Sequence, residues 1–429
     1  MATRCKWVAE PHFCRTELNT EIRARISNRL QAAIYRESLA LVDAGIADAA
    51  DIDRVITNSI GRRWAIGGPF EIWEQIGWDL VQVIAGELFA DISVATSAPV
   101  FSAPEIYETR YVASGRTSAE TRFQNVAVIG AGLLGHGIAL ELAVHGKQVF
   151  LNDVSDDLLN DAISRARVGL GALASVGRIS EGQIEQALER ISISTDLSRT
   201  VKNADLVIEA ASENLILKKK IFAEIDALAP SHAVLTSNSS TFVPSAYGSV
   251  ITRTSRVVGI HYFNPPHLLP GIEIITGPDT SSEVVALVKD EYEAIGKKPT
   301  VVRTEIQGFI SNRLQVALLR EAMSTVEYGE ATPSEIDEIV RSGFGPKFAE
   351  TGVFGSISQN ESSITHADLV GQFSELNNDH ELPSLLLDKI ESGDLGVKTG
   401  KGFYEWTPES AEAWRKNMAD SLLAMTVRD

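Results

Sequence analysis

A stretch of 45 residues near the start of the chain, Ile26 to Phe70, returns without a gap as Ile310 to Phe354, with 18 identities that include the hexapeptide ISNRLQ in both copies. Such a repeat constrains the architecture before any element is assigned, because each copy must be a folding unit that buries its apolar face against something. The identities are not confined to apolar positions that any two amphipathic helices share. Arg36 and Glu37 recur as Arg320 and Glu321, Asp53 as Asp337, and Gly45, Gly61 and Gly68 as Gly329, Gly345 and Gly352. The chain therefore reads as two copies of one helical module with a different domain between them.

The first copy opens with ISNRLQAAIYRESLALVDAG, whose apolar residues keep helical spacing up to Gly45, and continues into DAADIDRVI, which begins on aspartates suited to an N-cap. GGPF reads as a loop. The segment ATSAPVFSAPEIYETRYVASGRTSAETR mixes Ser, Thr, Pro and Ala without a period and reads as a linker or wrapping arm. These marks divide the chain into a helical module at 1–94, a linker at 95–122, an α/β domain at 123–304 and a C-terminal helical domain at 305–429.

The α/β domain begins with a short apolar strand run, Val126–Ile129, followed by Gly130, Gly132 and Gly135 around Leu133 and Leu134. A helical stretch to His145 and a second strand run, Gln148–Leu151, lead to Asp153. The glycines suit a tight turn, a close backbone approach to a pyrophosphate and close packing of helix on strand. The helix start then offers N–H groups and a positive dipole end to phosphates. Three glycines alone are weak evidence; strand before, helix after and an acidic residue 153 − 130 = 23 positions beyond the first glycine make the motif strong. Asp153 suits ribose hydroxyls and repels a 2′-phosphate, and no Arg stands directly beside it, so NAD is expected rather than NADP.

Three further β-rich runs, ADLVIEAAS, HAVLTSNSS and SRVVGIHYFNPP, end in polar residues. Ligands of open parallel sheets bind at the carboxyl ends of strands, so Glu213, Ser239, Ser240, His261 and Asn264 are expected to converge there. Charge narrows the partners: 39 Lys and Arg against 57 Asp and Glu give 39 − 57 = −18, which argues against nucleic acid or an anionic membrane surface. The two cysteines, Cys5 and Cys14, stand near the N-terminus and away from any His cluster, so neither a disulfide framework nor a metal site is expected. The opening residues lack an apolar signal core, no run reaches the roughly 18 apolar residues of a membrane span, and a cytoplasmic setting is expected.

The glycine turn, SNSS, HYFNPPHLLPGIE and GFISNRLQ, in that order, resemble the L-3-hydroxyacyl-CoA dehydrogenase family, including its L-gulonate and carnitine dehydrogenase relatives, over about residues 124–406. The resemblance implies a Rossmann-type parallel-sheet domain followed by an all-α domain, here preceded by a second all-α module. It implies a catalytic set of His261, Glu273, Ser240 and Asn312. On the cofactor side it implies Gly130, Gly132, Leu133, Leu134, Gly135, Asp153, Glu213, Lys218, Ser240, Asn264 and Lys398. The implied cofactor is NAD and the implied setting is fatty acid metabolism. The substrate is an L-3-hydroxyacyl thioester or a free 3-hydroxy acid, oxidised reversibly to the 3-keto compound. A non-catalytic NAD-binding sensor or structural protein of the same fold is the alternative.

The residue types suit that chemistry on their own terms. A neutral His can take a hydroxyl proton near pH 7, and a carboxylate on its other nitrogen fixes the tautomer and stabilises the cation that forms. His136 and His267 are weaker candidates for ligand contact. A CoA phosphate would have to be met by Arg165, Arg167 or Arg178 in a neighbourhood poor in Lys, and NPPHLLP is similar to family members that oxidise free 3-hydroxy acids. The N-terminal copy is expected to lack a nucleotide-binding domain of its own, since few residues precede Ile26. It is expected to pack on the C-terminal copy of its own chain as an intrachain pseudo-dimer, or on a second chain in a homodimer. Asn28 and Asn312 hold the same repeat position, and only Asn312 is expected to reach the active site.

Overall fold

A computed structural model describes residues 26–99, 123–358 and 366–427. Cys5, Cys14 and most of the expected linker lie outside them.

The central domain is one eight-stranded sheet. Its strands are β1 (Asn125–Ile129), β2 (Gln148–Asn152), β3 (Ile191–Ser194), β4 (Leu206–Glu209), β5 (Val234–Ser237), β6 (Val257–Tyr262), β7 (Gly271–Ile275) and β8 (Lys298–Val302), in the order 3-2-1-4-5-6-7-8. β1, β4, β5, β6 and β7 are almost wholly buried, as strands covered by helices on both faces must be. The order reverses between β1 and β4, which opens a crevice at the carboxyl ends of those strands. The sheet departs from the expected parallel pattern at one place: β6 and β7 run antiparallel. Residues 263–270 are too few for a helical crossover, so the chain returns as a hairpin-like pair.

On either side in sequence stand the two helical copies. The long helices Ile26–Asp43 and Ser311–Glu327 pack on each other. The second helices, Ala49–Val55 and Pro333–Ile339, each run into a π-helical turn, Ile56–Ile60 and Val340–Phe344, at equivalent repeat positions. π-turns are rare, so their recurrence reflects one inherited backbone path rather than chance.

The contacts between the copies are reciprocal. Arg29 Nε donates to Glu321 at 2.7 Å, and Arg313 Nε donates to Glu37 at 2.6 Å. The other oxygen of Glu321 accepts the Asn377 N–H, and that of Glu37 accepts the Ser93 N–H. Asp337 accepts the N–H groups of Phe70 and Glu71 at 2.8 and 2.9 Å, while Asp53 accepts those of Phe354 and Gly355 at 2.9 and 2.7 Å. Each copy's aspartate thus caps a helix of the other. The glycines at the capped ends leave room for it, since a Cβ on Gly68 would lie 2.2 Å from Asp337 Cα and one on Gly352 2.3 Å from Asp53. This also corrects the reading of GGPF as a loop: a helix, Pro69–Glu74, begins inside it, because Pro69 suits a first turn and the cap comes from a residue far along the chain.

Candidate active site

Antiparallel register places His261 of β6 directly opposite Glu273 of β7, so the spacing of twelve residues is the length of the β6–β7 return. His261 Nδ1 lies 2.8 Å from Glu273 Oε2. With Nδ1–H donating to the carboxylate, Nε2 is left as the acceptor, and Ser240 Oγ stands 3.1 Å from it. The rings of Phe263 and Phe309 pack edge-on against the imidazole, with centroids at 5.0 and 5.4 Å. Glu273 is fully buried, and its other oxygen accepts the N–H groups of Ile310 and Ser311 at 3.0 and 2.9 Å. Those donors come from the start of the Ser311–Glu327 helix, delivered through Phe309, the only non-glycine residue with positive φ among the described residues.

Asn312 reaches the same place by another route. Its Nδ2 donates to the Ser240 carbonyl at 3.0 Å and its Oδ1 accepts from Gln315, so it holds the serine segment against the helix. Glu213 organises that segment from the other side. One of its oxygens accepts from Ser239 Oγ, Thr241 Oγ1 and the N–H groups of Ser240 and Thr241. Burial alone would raise the Glu213 carboxyl, but the Lys218 ammonium and these hydroxyls outweigh it and hold it below the usual carboxylate range.

The glycine turn fits a dinucleotide. Gly130 has φ 105°, a Cβ on Gly135 would fall 1.8 Å from the Gly130 carbonyl, and one on Gly132 would meet nothing within 4 Å, which leaves that edge open to a pyrophosphate. Leu133 is exposed on the turn and Leu134 half-buried. Asp153 Oδ2 accepts the Ala131 N–H at 2.7 Å, which ties the end of β2 to the turn beside the place a ribose would take. Asn264 is exposed, and a cis bond joins it to Pro265.

Two expected cofactor contacts are placed elsewhere. Lys218 is buried, with its ammonium 3.0 and 2.9 Å from the two oxygens of Glu209 and 3.2 Å from Glu213, so it acts from beneath the serine segment. Lys398 is not brought to the crevice at all. It pairs with Asp79 of the N-terminal copy, because the segment carrying it docks there: the Phe403 N–H and the Trp406 indole donate to Glu74. Of the arginines considered for a CoA phosphate, Arg167 pairs with Glu185 and Arg178 donates to the Thr426 carbonyl. Only Arg165 stays at the crevice, donating to the Ala131 carbonyl at 2.9 Å. His136 lies against Gly132 and Arg165; burial pushes His267 down to about 4, which keeps it neutral.

Three participants were not anticipated. Ser311, Glu209 and the Ile310 N–H all act on residues distant in the chain. A Glu closing a strand run, as Glu209 does in ADLVIEAAS, is the one local signal that marks any of them.

Known proteins match this arrangement. The family described as 3-hydroxyacyl-CoA dehydrogenase, NAD binding domain, matches residues 125–306, and its C-terminal domain matches twice, at residues 26–122 and 308–406. The chain is 33% identical over 314 residues to a 5-formyl-3-hydroxy-2-methylpyridine 4-carboxylate 5-dehydrogenase of Mesorhizobium japonicum, covering 70% of this chain and 97% of the relative. It is 31% identical to a probable 3-hydroxybutyryl-CoA dehydrogenase of Bacillus subtilis, covering 67% and 99%. Among solved structures, a dehydrogenase of the same pyridine carboxylic acid, described as an NAD+ dependent dismutase, superposes with a TM-score of 0.65 at 32% identity over 71% of this chain and 97% of that one. A (S)-3-hydroxybutyryl-CoA dehydrogenase from Ralstonia eutropha gives 0.56 at 30% identity, over 66% and 99%. With the glycine turn, the paired His261 and Glu273 and the repeated helical module all in place, the chain belongs to the 3-hydroxyacyl-CoA dehydrogenase family and is an NAD-dependent oxidoreductase.

Proposed function

We propose that the chain oxidises a free hydroxy acid to the corresponding keto acid, with His261 as the base and Glu273 as its orienting partner. The observation that carries this reading is the placement of His261 between Glu273 on Nδ1 and Ser240 on Nε2. NAD, when bound, supplies the hydride acceptor. The chain's own residues handle the proton. His261 Nε2 takes it from the substrate hydroxyl as the carbon–hydrogen bond gives up its hydride, and Glu273 stabilises the imidazolium that results. Ser240 Oγ, already at hydrogen-bond distance from Nε2, holds the substrate oxygen in the same plane. Asn312 and Glu213 fix the serine segment so that this geometry exists before substrate arrives. General-base help of this kind is typically worth about 10²–10⁴-fold.

A substrate without CoA is favoured because two of the three arginines that would meet a CoA phosphate are engaged elsewhere. The relative at 33% identity is named for a pyridine carboxylate, which is also a free acid. The test is NADH oxidation followed side by side with 3-keto acids and their CoA thioesters, on wild type and His261→Gln. Turnover of the free acids, lost on His261→Gln by at least about 10²-fold, is the expected result. Preference for the thioesters would overturn the substrate assignment, unchanged turnover in His261→Gln would overturn the mechanism, and NAD binding without turnover of any substrate would favour a sensor.

A further inference from the structure

Glu273 is saturated. Oε1 accepts the N–H groups of Ile310 and Ser311, and Oε2 accepts His261 Nδ1–H together with the Ser311 hydroxyl, at 2.6 Å. The Ser311 side chain and the carboxylate are both fully buried, so water does not compete for that bond. No Lys or Arg among the described residues forms an ion pair with Glu273 or with His261. The groups that face the pair are therefore Ser240 Oγ, the two N–H groups, the Ser311 hydroxyl and the rings of Phe263 and Phe309. The shortest of the four bonds on the carboxylate is the one from Ser311, and it lands on the same oxygen as the histidine.

We propose that Ser311 is a positioning residue of the His261–Glu273 pair, and that its hydroxyl sets how strongly the carboxylate pulls on the imidazole. This rests on the assignment of His261 as the base. A donor on a carboxylate stabilises its charged form and drains its basicity. The bond that Oε2 accepts from the Ser311 hydroxyl therefore weakens its hold on the Nδ1 proton. The geometry adds a second effect, since the hydroxyl pins Oε2 in the plane that meets Nδ1. The repeat supplies the control. Ser27 holds the equivalent place in the N-terminal copy, where its hydroxyl receives Gln31 Nε2 at 3.3 Å.

The experiment is the pH profile of kcat/KM for alcohol oxidation in the full chain, for wild type, Ser311→Ala, Ser311→Val, Ser311→Thr and Ser27→Ala. Removing the donor raises the basicity of Glu273 and so the affinity of His261 for its proton. The acidic limb is expected to move to higher pH by about half to one unit in the Ala and Val variants, the size of a charge-assisted hydrogen bond transmitted through one carboxylate. Thr matches Val in shape and keeps the hydroxyl, so its limb should return to the wild-type position, and Ser27→Ala should leave the limb where it is. A limb unmoved in Ala and Val would overturn the proposal. An equal shift in Val and Thr would overturn it too, because shape rather than the hydroxyl would then be responsible. Loss of activity in His261→Gln with no limb shift in the serine variants would remove this inference alone, while full activity in His261→Gln would remove the assignment beneath it.

Discussion

Asn312 and Asn28 occupy one repeat position in two different surroundings. The amide of Asn312 bridges Gln315 and the Ser240 carbonyl, and so connects the helix that holds Glu273 to the segment that faces His261 Nε2. Asn28 lies half-buried at the start of the Ile26–Asp43 helix. Replacing Asn312 with Ala removes a donor from the half-buried Ser240 carbonyl and frees the serine segment. A loss of about three- to tenfold in kcat/KM is expected, the worth of one such hydrogen bond. Asn28→Ala should leave kcat/KM unchanged and act, if anywhere, on the thermal midpoint. Steady-state kinetics on the two variants decide it, and equal kinetic losses would mean that the N-terminal copy reaches an active site. At this scale the sequence is readable where chemistry and spacing coincide, as in Gly130, Gly135 and Asp153 of the glycine turn. It misleads where a motif residue is drawn off by a distant partner, as Lys398 is by Asp79.

Between the elements, the crossed caps carry a pH signature. Burial pushes the carboxyls of Asp53 and Asp337 up to about 7, against the pull of the backbone N–H groups they accept and, for Asp337, of the Tyr404 hydroxyl. An aspartate in the unfolded chain titrates near about 4, so between those values the folded protein binds more protons than the unfolded one. The stability these groups contribute is therefore fully present below the unfolded value and is lost as pH rises through about 7. The thermal midpoint of wild type should fall between pH 5 and pH 8. In the double variant Asp53→Asn with Asp337→Asn the fall should flatten, because the amides keep an acceptor oxygen and lose the titration. Parallel slopes in the two proteins would show that other groups dominate. The recurrence of Asp53 and Gly68 at Asp337 and Gly352 is visible in the sequence, but not that each aspartate serves the other copy. A cap is ordinarily sought a few residues away, and here it comes from across the molecule.

For the whole molecule, the N-terminal copy covers the face of the C-terminal copy and also braces the nucleotide-binding domain. Arg303, just beyond β8, donates to Asp48 and Asp51; the Gly308 backbone fits against Leu88, where a Cβ would meet the side chain at 2.6 Å. Arg313, one residue past Asn312, is clamped by Glu37 and Asp91. The helix that presents Ser311 and the N–H groups to Glu273 is thus held in place by the N-terminal copy. Burial of apolar surface contributes roughly 25 cal/mol per Å², so removing residues 1–122 should uncover a large apolar face. Size-exclusion chromatography of that truncation is expected to show aggregation or a new dimer, with activity reduced. A soluble, fully active monomer would show that the brace is dispensable.

What the sequence determined by itself is what lies within a few tens of residues. Examples are the strand–glycine–helix start of the dinucleotide site, the Asp153 that follows β2 and the long first helix of each repeat. Each is encoded by a period or a spacing that the backbone must obey locally. The tertiary structure alone decided which carboxylate caps which helix, that Lys218 is buried against Glu209 and that Ser311 meets Glu273. It also decided that the Lys398 segment closes over the N-terminal copy. In most of these cases the partners come from separate elements that meet only when the two copies and the sheet pack together. A buried carboxylate then takes whichever donors the packing brings to it, and no local pattern specifies them in advance.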